Sequence, residues 1–250
     1  MKYFLLIIIS FFSLNLNAAG SKIDIPKYDW SWKGFFGTYD RASAQRGLKV
    51  YREVCAGCHS MNLIAYRNLE DLGFNQDQIK AIASEYLVPD GPNDEGEMFE
   101  REAIPADKFA NPYPNVQAAR AANNGAYPPD LSLIVKARPK GADYLKALLL
   151  GYIEAPSDKK VPEGQYYNKY MEGNLIAMPS PLSDGLVDYD DGTEASIDQM
   201  ATDVTTFLAW AAEPSLEDRK RIGLKVILFL IVLFVLAYIS KQKIWRDVKY

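Results

Sequence analysis

The chain has two cysteines and a single histidine in 250 residues. Two cysteines are too few for a disulfide framework. There is no excess of positive charge either: 28 Lys and Arg stand against 32 Asp and Glu, giving a formal net charge of −4 and a pI of about 5.2. A nucleic-acid-binding domain is normally basic, so this balance argues against such a partner and permits a basic protein partner. Internal repeats and low-complexity tracts are absent, and strand-like alternation is poor throughout. What remains is an ordinary globular composition, 48% hydrophobic and 24% charged, long enough for one or two domains and predicted to be mainly α.

Both ends differ from the middle. Residues 1–19 begin with Lys2, continue as an apolar run from Tyr3 to Leu14, and end on Ala18 and Ala19. That is the layout of a secretory signal peptide, cleaved after Ala18 or Ala19. The apolar run is short for a bilayer, which needs about 20 residues, so an N-terminal anchor is the weaker reading. The second run, IGLKVILFLIVLFVLAYIS, covers residues 222–240. It has no polar face from Val226 to Ile239, and Lys225 lies near enough to its start to snorkel to the headgroups. These features predict an exported body over residues 20–218, a transmembrane anchor over 219–240 and a short tail over 241–250. Flanking cations lie on both sides of the span and do not orient it. The signal peptide does, placing the body on the periplasmic or intermembrane side and the tail on the cytoplasmic or matrix side.

Within the body, DRASAQRGLKVYREV (40–54) has Ala44, Leu48, Tyr51 and Val54 on one stripe, predicting a helix that runs into Cys55. QDQIKAIASEYL (76–87) predicts a second, with Asn75 as N-cap and Gln78 three places on. From Val88 to Pro139 prolines recur at 89, 92, 105, 112, 114, 128, 129 and 139, which disfavours long helices. So long a loop-rich stretch is usually functional or packed over something. Residues 141–153 return to a helical pattern, and 155–182 are again rich in Pro, Gly and Tyr. Ser196 to Gln199 forms a capping-box pattern ahead of a stripe from Met200 to Ala211, which Pro214 ends.

The scarce residues are concentrated in VCAGCHS, where Cys55, Cys58 and His59 form C-x-x-C-H. A thioredoxin-type dithiol normally follows a strand and opens a helix in an α/β fold; here a helix leads in, and no βαβ pattern exists. Structural zinc usually takes four Cys or His ligands, and this chain offers three. Covalent attachment of haem c uses both thiols as thioethers and the imidazole as an axial ligand, and export suits it. The pattern favours that third reading. With the one histidine spent, a sixth iron ligand must be another residue type, water or nothing. Met98, Met171, Met178 and Met200 are available, because Met1 leaves with the signal and Met61 is too close to His59. Met200 lies on a helix stripe and reads as core. Met178, in the proline-pinned loop LIAMPSP, is the best placed of the four on spacing, with core packing the competing reading.

Charge is uneven. Residues 184–218 contain ten acids and no Lys or Arg, and residues 85–107 contain eight acids against Arg101 alone. Each run is either a solvated face or a docking surface for a basic partner.

Beyond CAGCH, the chain resembles the cytochrome c1 family over nearly all of residues 28–245. The stretches that carry the resemblance are YDRASAQRGLKVYREVCAGCHSMNLIAYRNL, VPDGPNDEGEMFER, ANPYPNVQAARAANNGAYPPDLSLIVKAR, LLLGYIEAP, YYNKYMEGNLIAMPSPLSDG and YDDGTEASIDQMATDVTTFLAWAAEP. The RKRIGLK lead into the anchor belongs to it as well. ANNGAYPPDLS and FLAWAAEP make it specific, since CAGCH alone indicates only a c-type cytochrome. The resemblance implies a mainly α, class I cytochrome c-like haem domain with long loop insertions and one C-terminal transmembrane helix. In that fold the first and last helices cross at Gly47, near Tyr51, against Phe207 and Trp210. It implies one covalent haem c on Cys55 and Cys58, with His59 and Met178 as axial ligands. It further implies Arg120 at a haem propionate, with Tyr127 and the Pro128–Pro129 pair lining the pocket. The implied function is electron transfer within ubiquinol:cytochrome c reductase. Electrons would pass from a Rieske iron–sulfur protein to cytochrome c, with cytochrome b as a further partner.

Overall fold

The structure, a computed structural model, describes residues 23–247. The signal-peptide stretch and the last three residues of the tail lie outside the described residues. The first helix, α1 (Arg41–Val50), starts because the Asp40 side chain accepts from the Ser43 backbone N–H at 3.1 Å. Such a cap is worth about 1 kcal/mol. It buries Ser43, Ala44, Gly47, Leu48 and Val50; of the predicted stripe, Ala44, Leu48 and Tyr51 are buried and Val54 is partly so. The helix then changes pitch: Tyr51–Cys55 is a π-turn, with the Ala56 N–H reaching the Tyr51 carbonyl at 2.7 Å. Single π-turns insert one extra residue into a helix and recur at functional sites.

A 3₁₀ segment (Tyr66–Leu72) and α2 (Gln76–Ser84) follow. The Asn75–Gln78 capping box is fully formed. The predicted helix over 76–87 stops at Ser84 because Leu87 opens a strand. Strand β1 (Leu87–Asp90) pairs antiparallel with β2 (Phe99–Glu102). That hairpin is closed by Arg101, which binds both Asp90 and Asp107. The proline-rich stretch contains the short helices α3 (Val116–Ala122) and α4 (Ile134–Ala137). Helix α5 (Ala142–Leu150) comes next, and β3 (Tyr166–Tyr167) pairs with β4 (Leu175–Ile176). These two small ladders escaped the sequence reading because each strand has four residues or fewer and faces solvent on much of its length.

Helix α6 (Ile197–Ala212) is the spine of the body. Ser196 caps it, accepting from the Gln199 N–H at 3.2 Å. The other half of the predicted box is spent elsewhere: the Gln199 side chain donates to Asp203. α6 crosses α1 at Gly47. A Cβ at that position would collide with the Asp203 carbonyl and sit 2.8 Å from Phe207 Cβ. Only a residue without a side chain permits this approach. A buried polar knot fastens the same crossing: Asp203 accepts from Ser43 Oγ (2.7 Å), Arg46 Nε (2.9 Å) and Gln199 Nε2 (3.0 Å). Around it, Phe207 packs on Tyr51 (ring centroids 5.6 Å apart) and on Trp210 (5.7 Å). Trp210 lies about one turn beyond Phe207 on α6 and is itself fully buried.

The last helix, α7 (Leu216–Trp245), contains the predicted span and extends it at both ends. From Ile222 to Ile239 its apolar side chains project into open space. It is long and apolar enough to cross a membrane.

Candidate haem site

The π-turn delivers Cys55 to the end of α1, and the chain then folds back on it. The N–H groups of Cys58 and His59 both reach the Cys55 carbonyl, at 3.1 and 2.9 Å. Cys55 is half-buried and Cys58 exposed; neither forms a disulfide. Burial pushes the Cys55 thiol up to about 12, with Cys58 adding to the rise. A thiol that stays protonated is a poor redox nucleophile, which weighs against the dithiol reading. The described residues hold no group of three or more His, Cys, Asp or Glu suited to a metal ion, which weighs against zinc.

His59 is positioned from outside its own turn. Its Nδ1 lies 2.8 Å from the Pro129 carbonyl oxygen. That carbonyl can only accept, so Nδ1 carries the proton and Nε2 keeps its lone pair. Burial lowers the His59 pKa, against smaller upward pulls from Pro129 and Asp130. The ring is therefore a neutral imidazole at pH 7, the form that binds iron. The backbone after it is held by the Tyr51 hydroxyl, which donates to the His59 carbonyl at 3.2 Å.

Asp130 locks the Pro129 loop onto the C-x-x-C-H turn. It accepts from Ser60 Oγ, from the Asn62 N–H, from Asn62 Nδ2 and from the Ser132 N–H, each at 2.8 Å. Burial raises its pKa, but these donors outweigh it and the net shift is downward. Ser132 in turn accepts from the Leu63 N–H. A cleft opens beside this turn, lined by Cys58, Pro112, Tyr113, Ala119, Tyr127 and Pro128. Tyr113 is itself placed by Asn123, whose Nδ2 donates to its hydroxyl at 3.1 Å. The proline ring faces and aromatic walls suit a flat apolar ligand, and Cys58 stands at its edge. The residues present fit a covalently held porphyrin.

Of the predicted residues, Cys55, Cys58, His59, Tyr127, Pro128 and Pro129 come together here. Arg120 lies next to them on α3. Its guanidinium is 5.8 Å over the Tyr127 ring, and it donates to the Gly125 carbonyl at 2.7 Å. Met178 lies on a different loop and does not line this cleft. It follows β4 by two residues, and its carbonyl accepts from the Tyr152 hydroxyl at 3.0 Å. Asp130, Tyr113 and Asn123 went unremarked in the sequence. Their one local signal is position within the ANPYPN…ANNGAYPPD stretch, which brings them to the cleft together.

A family model described as the Cytochrome C1 family matches residues 30–248. Cytochrome c1 of Rhodospirillum rubrum is 49% identical, over 91% of this chain and 90% of that protein. The yeast Saccharomyces cerevisiae mitochondrial protein named "Cytochrome c1, heme protein" is 46% identical, over 94% of this chain and 76% of its own length. The Bradyrhizobium diazoefficiens protein named "Cytochrome b/c1" is 51% identical over 89% of this chain, which spans only 36% of that longer protein. A mainly helical body, a C-x-x-C-H turn set against a proline-lined cleft and one long apolar C-terminal helix agree with these matches, and the chain belongs to the cytochrome c1 family.

Proposed function

We propose that the body, residues 20–218, carries one covalently bound haem c and relays electrons inside a cytochrome bc1 complex. The observation that carries this is the His59–Pro129 contact, which leaves the Nε2 lone pair free beside two thiols and a cleft walled by prolines and tyrosines. Cys55 and Cys58 would hold the group through thioethers, and His59 and Met178 would ligate its iron. Arg120 would supply a cation to a propionate, and Tyr127 would line the pocket. When bound, haem c supplies one-electron redox chemistry, and Met/His ligation raises its reduction potential. The chain's own residues fix the ligands, exclude water and leave an exposed edge at Cys58.

This chain makes and breaks no bonds alone. Its place is the haem subunit of ubiquinol:cytochrome c oxidoreductase, with cytochrome b beside it, a Rieske protein as donor and a cytochrome c as acceptor. Residues 219–240 anchor it in a bacterial inner membrane or its equivalent. The body faces the periplasm or intermembrane space, and residues 241–250 form the tail on the other side. A basic acceptor would meet a thinner acidic face than composition suggests. Seven of the ten acids in residues 184–218 already hold an intramolecular cation: Asp190, Asp191, Asp198, Asp203, Glu213, Glu217 and Asp218. Asp184, Asp188 and Glu194 are the better candidates for docking. Purification in mild detergent tests the assembly: the chain is expected to co-migrate with a b-type cytochrome. A haem subunit that always migrates alone would contradict it and favour a free-standing anchored cytochrome.

A further inference from the structure

The loop over residues 31–38 turns two phenylalanines outward, Phe35 at 51% exposure and Phe36 at 81%. Their rings meet edge to face with centroids 5.0 Å apart. The loop is fastened to the root of α7. Lys220 Nζ donates to the Trp32 carbonyl at 2.7 Å and the Gly37 carbonyl at 2.9 Å, so one ammonium ties both sides of the aromatic pair. The Tyr39 N–H donates to Glu217 Oε1 at 2.8 Å. Gly37 allows the fold-back, since a Cβ there would collide with the Lys33 carbonyl. Phe35 and Phe36 line an apolar groove with Lys220, Arg221 and Leu224.

The level of that groove is set by α7. Residues 222–240 form a 19-residue apolar stretch. At about 1.5 Å per residue this is close to the roughly 30 Å of a hydrocarbon core. Leu224 lies just inside one end, and Lys220 and Arg221 just outside it. Phe and Leu side chains beside cations at that depth suit the boundary between headgroups and acyl chains. Leaving two Phe side chains in water forgoes the hydrophobic gain of burying them. Leu224 shares its helix face with the exposed Ile227 and Leu228, three and four residues on, so the face that lines the groove leads into the apolar span.

We propose that Phe35 and Phe36 insert into the headgroup–acyl boundary of the bilayer. They form a second, monotopic lipid contact that fixes the angle of the body over the membrane. This rests on α7 spanning the membrane. Photocrosslinking in native membranes tests both: p-benzoyl-phenylalanine replaces Phe36 in one full-length variant and Phe234, in the middle of α7, in another. Adducts are identified by mass spectrometry. Lipid adducts are expected at both positions. A protein adduct at 36 with lipid at 234 would overturn the proposal and assign the loop to a neighbouring subunit. No lipid at 234 would overturn the anchor reading itself. If the probe at 36 impairs folding, Phe36→Trp in vesicles containing brominated lipid supplies the second readout. Quenching is expected to exceed that of the parent protein, and no increase over the parent would overturn the insertion.

Discussion

The Pro129 carbonyl oxygen lies 2.8 Å from His59 Nδ1, across seventy residues of sequence. This one contact sets the imidazole's tautomer and points its second nitrogen away from the backbone. Asp130, the next residue, ties the same loop to Ser60 and Asn62. The ligand turn and its positioning loop are thus one unit.

Asp130→Ala should destabilise the haem-loaded protein by about 3 kcal/mol. It orphans two backbone donors and two side-chain donors, each worth about 1–3 kcal/mol when left unpaired. Denaturant unfolding followed at the haem absorbance checks this. A loss well under 1 kcal/mol would mean that the loop is held by something else.

Gly47→Ala should weaken the α1–α6 crossing by at least ~1–3 kcal/mol, the range for overpacking a filled site. Gly47→Val should give little or no haem-loaded protein, since both helices would have to separate around Asp203 and Phe207. Normal yields of the valine variant would refute the close crossing.

Acid sensitivity is expected at the same crossing. The Asp191 carboxyl is held down at about 2, first by the Thr193 N–H and then by Arg46. An ordinary Asp titrates near 3.9. The folded value is the lower one, so the contribution to stability is complete above about pH 4 and fades as pH falls towards 2. Thermal unfolding of Asp191→Asn against the parent should show a gap that closes over that window. A gap that stays constant down to pH 2 would contradict the assignment.

Met178→Leu should leave the haem attached and lower its reduction potential, on a scale where axial ligands span roughly 0.8 V. Redox titration reads it directly, and an unchanged potential would identify a different sixth ligand.

Much of this was legible in the sequence, wherever the signal was local. The α1 stripe, the Asn75 cap and the apolar run of α7 need only neighbouring residues to declare themselves. C-x-x-C-H fits haem attachment, and the wider resemblance named the family that the chain belongs to. What was missed depends on partners far along the chain. Gln199 matches a capping box, but its side-chain amide donates to Asp203, a buried carboxylate that also binds Ser43 and Arg46. The acids of residues 184–218 read as an open face, yet most are neutralised by Arg41, Arg46, Lys49, Lys136 and Lys146, cations drawn from distant segments. The π-turn at Tyr51–Cys55 has no composition of its own and shows only in the backbone.

The central claim is that Cys55 and Cys58 hold a haem with His59 beneath it. The alkaline pyridine spectrum, taken after acid–acetone extraction, tests it most directly. The full-length protein and Cys55→Ala and Cys58→Ala variants would be made in a host that matures cytochromes c. The full-length protein should keep its haem and give the spectrum of two thioether links, and each variant should shift towards that of a single link or lose haem. A full-length protein that releases its haem on extraction, or never acquires one, would contradict the account.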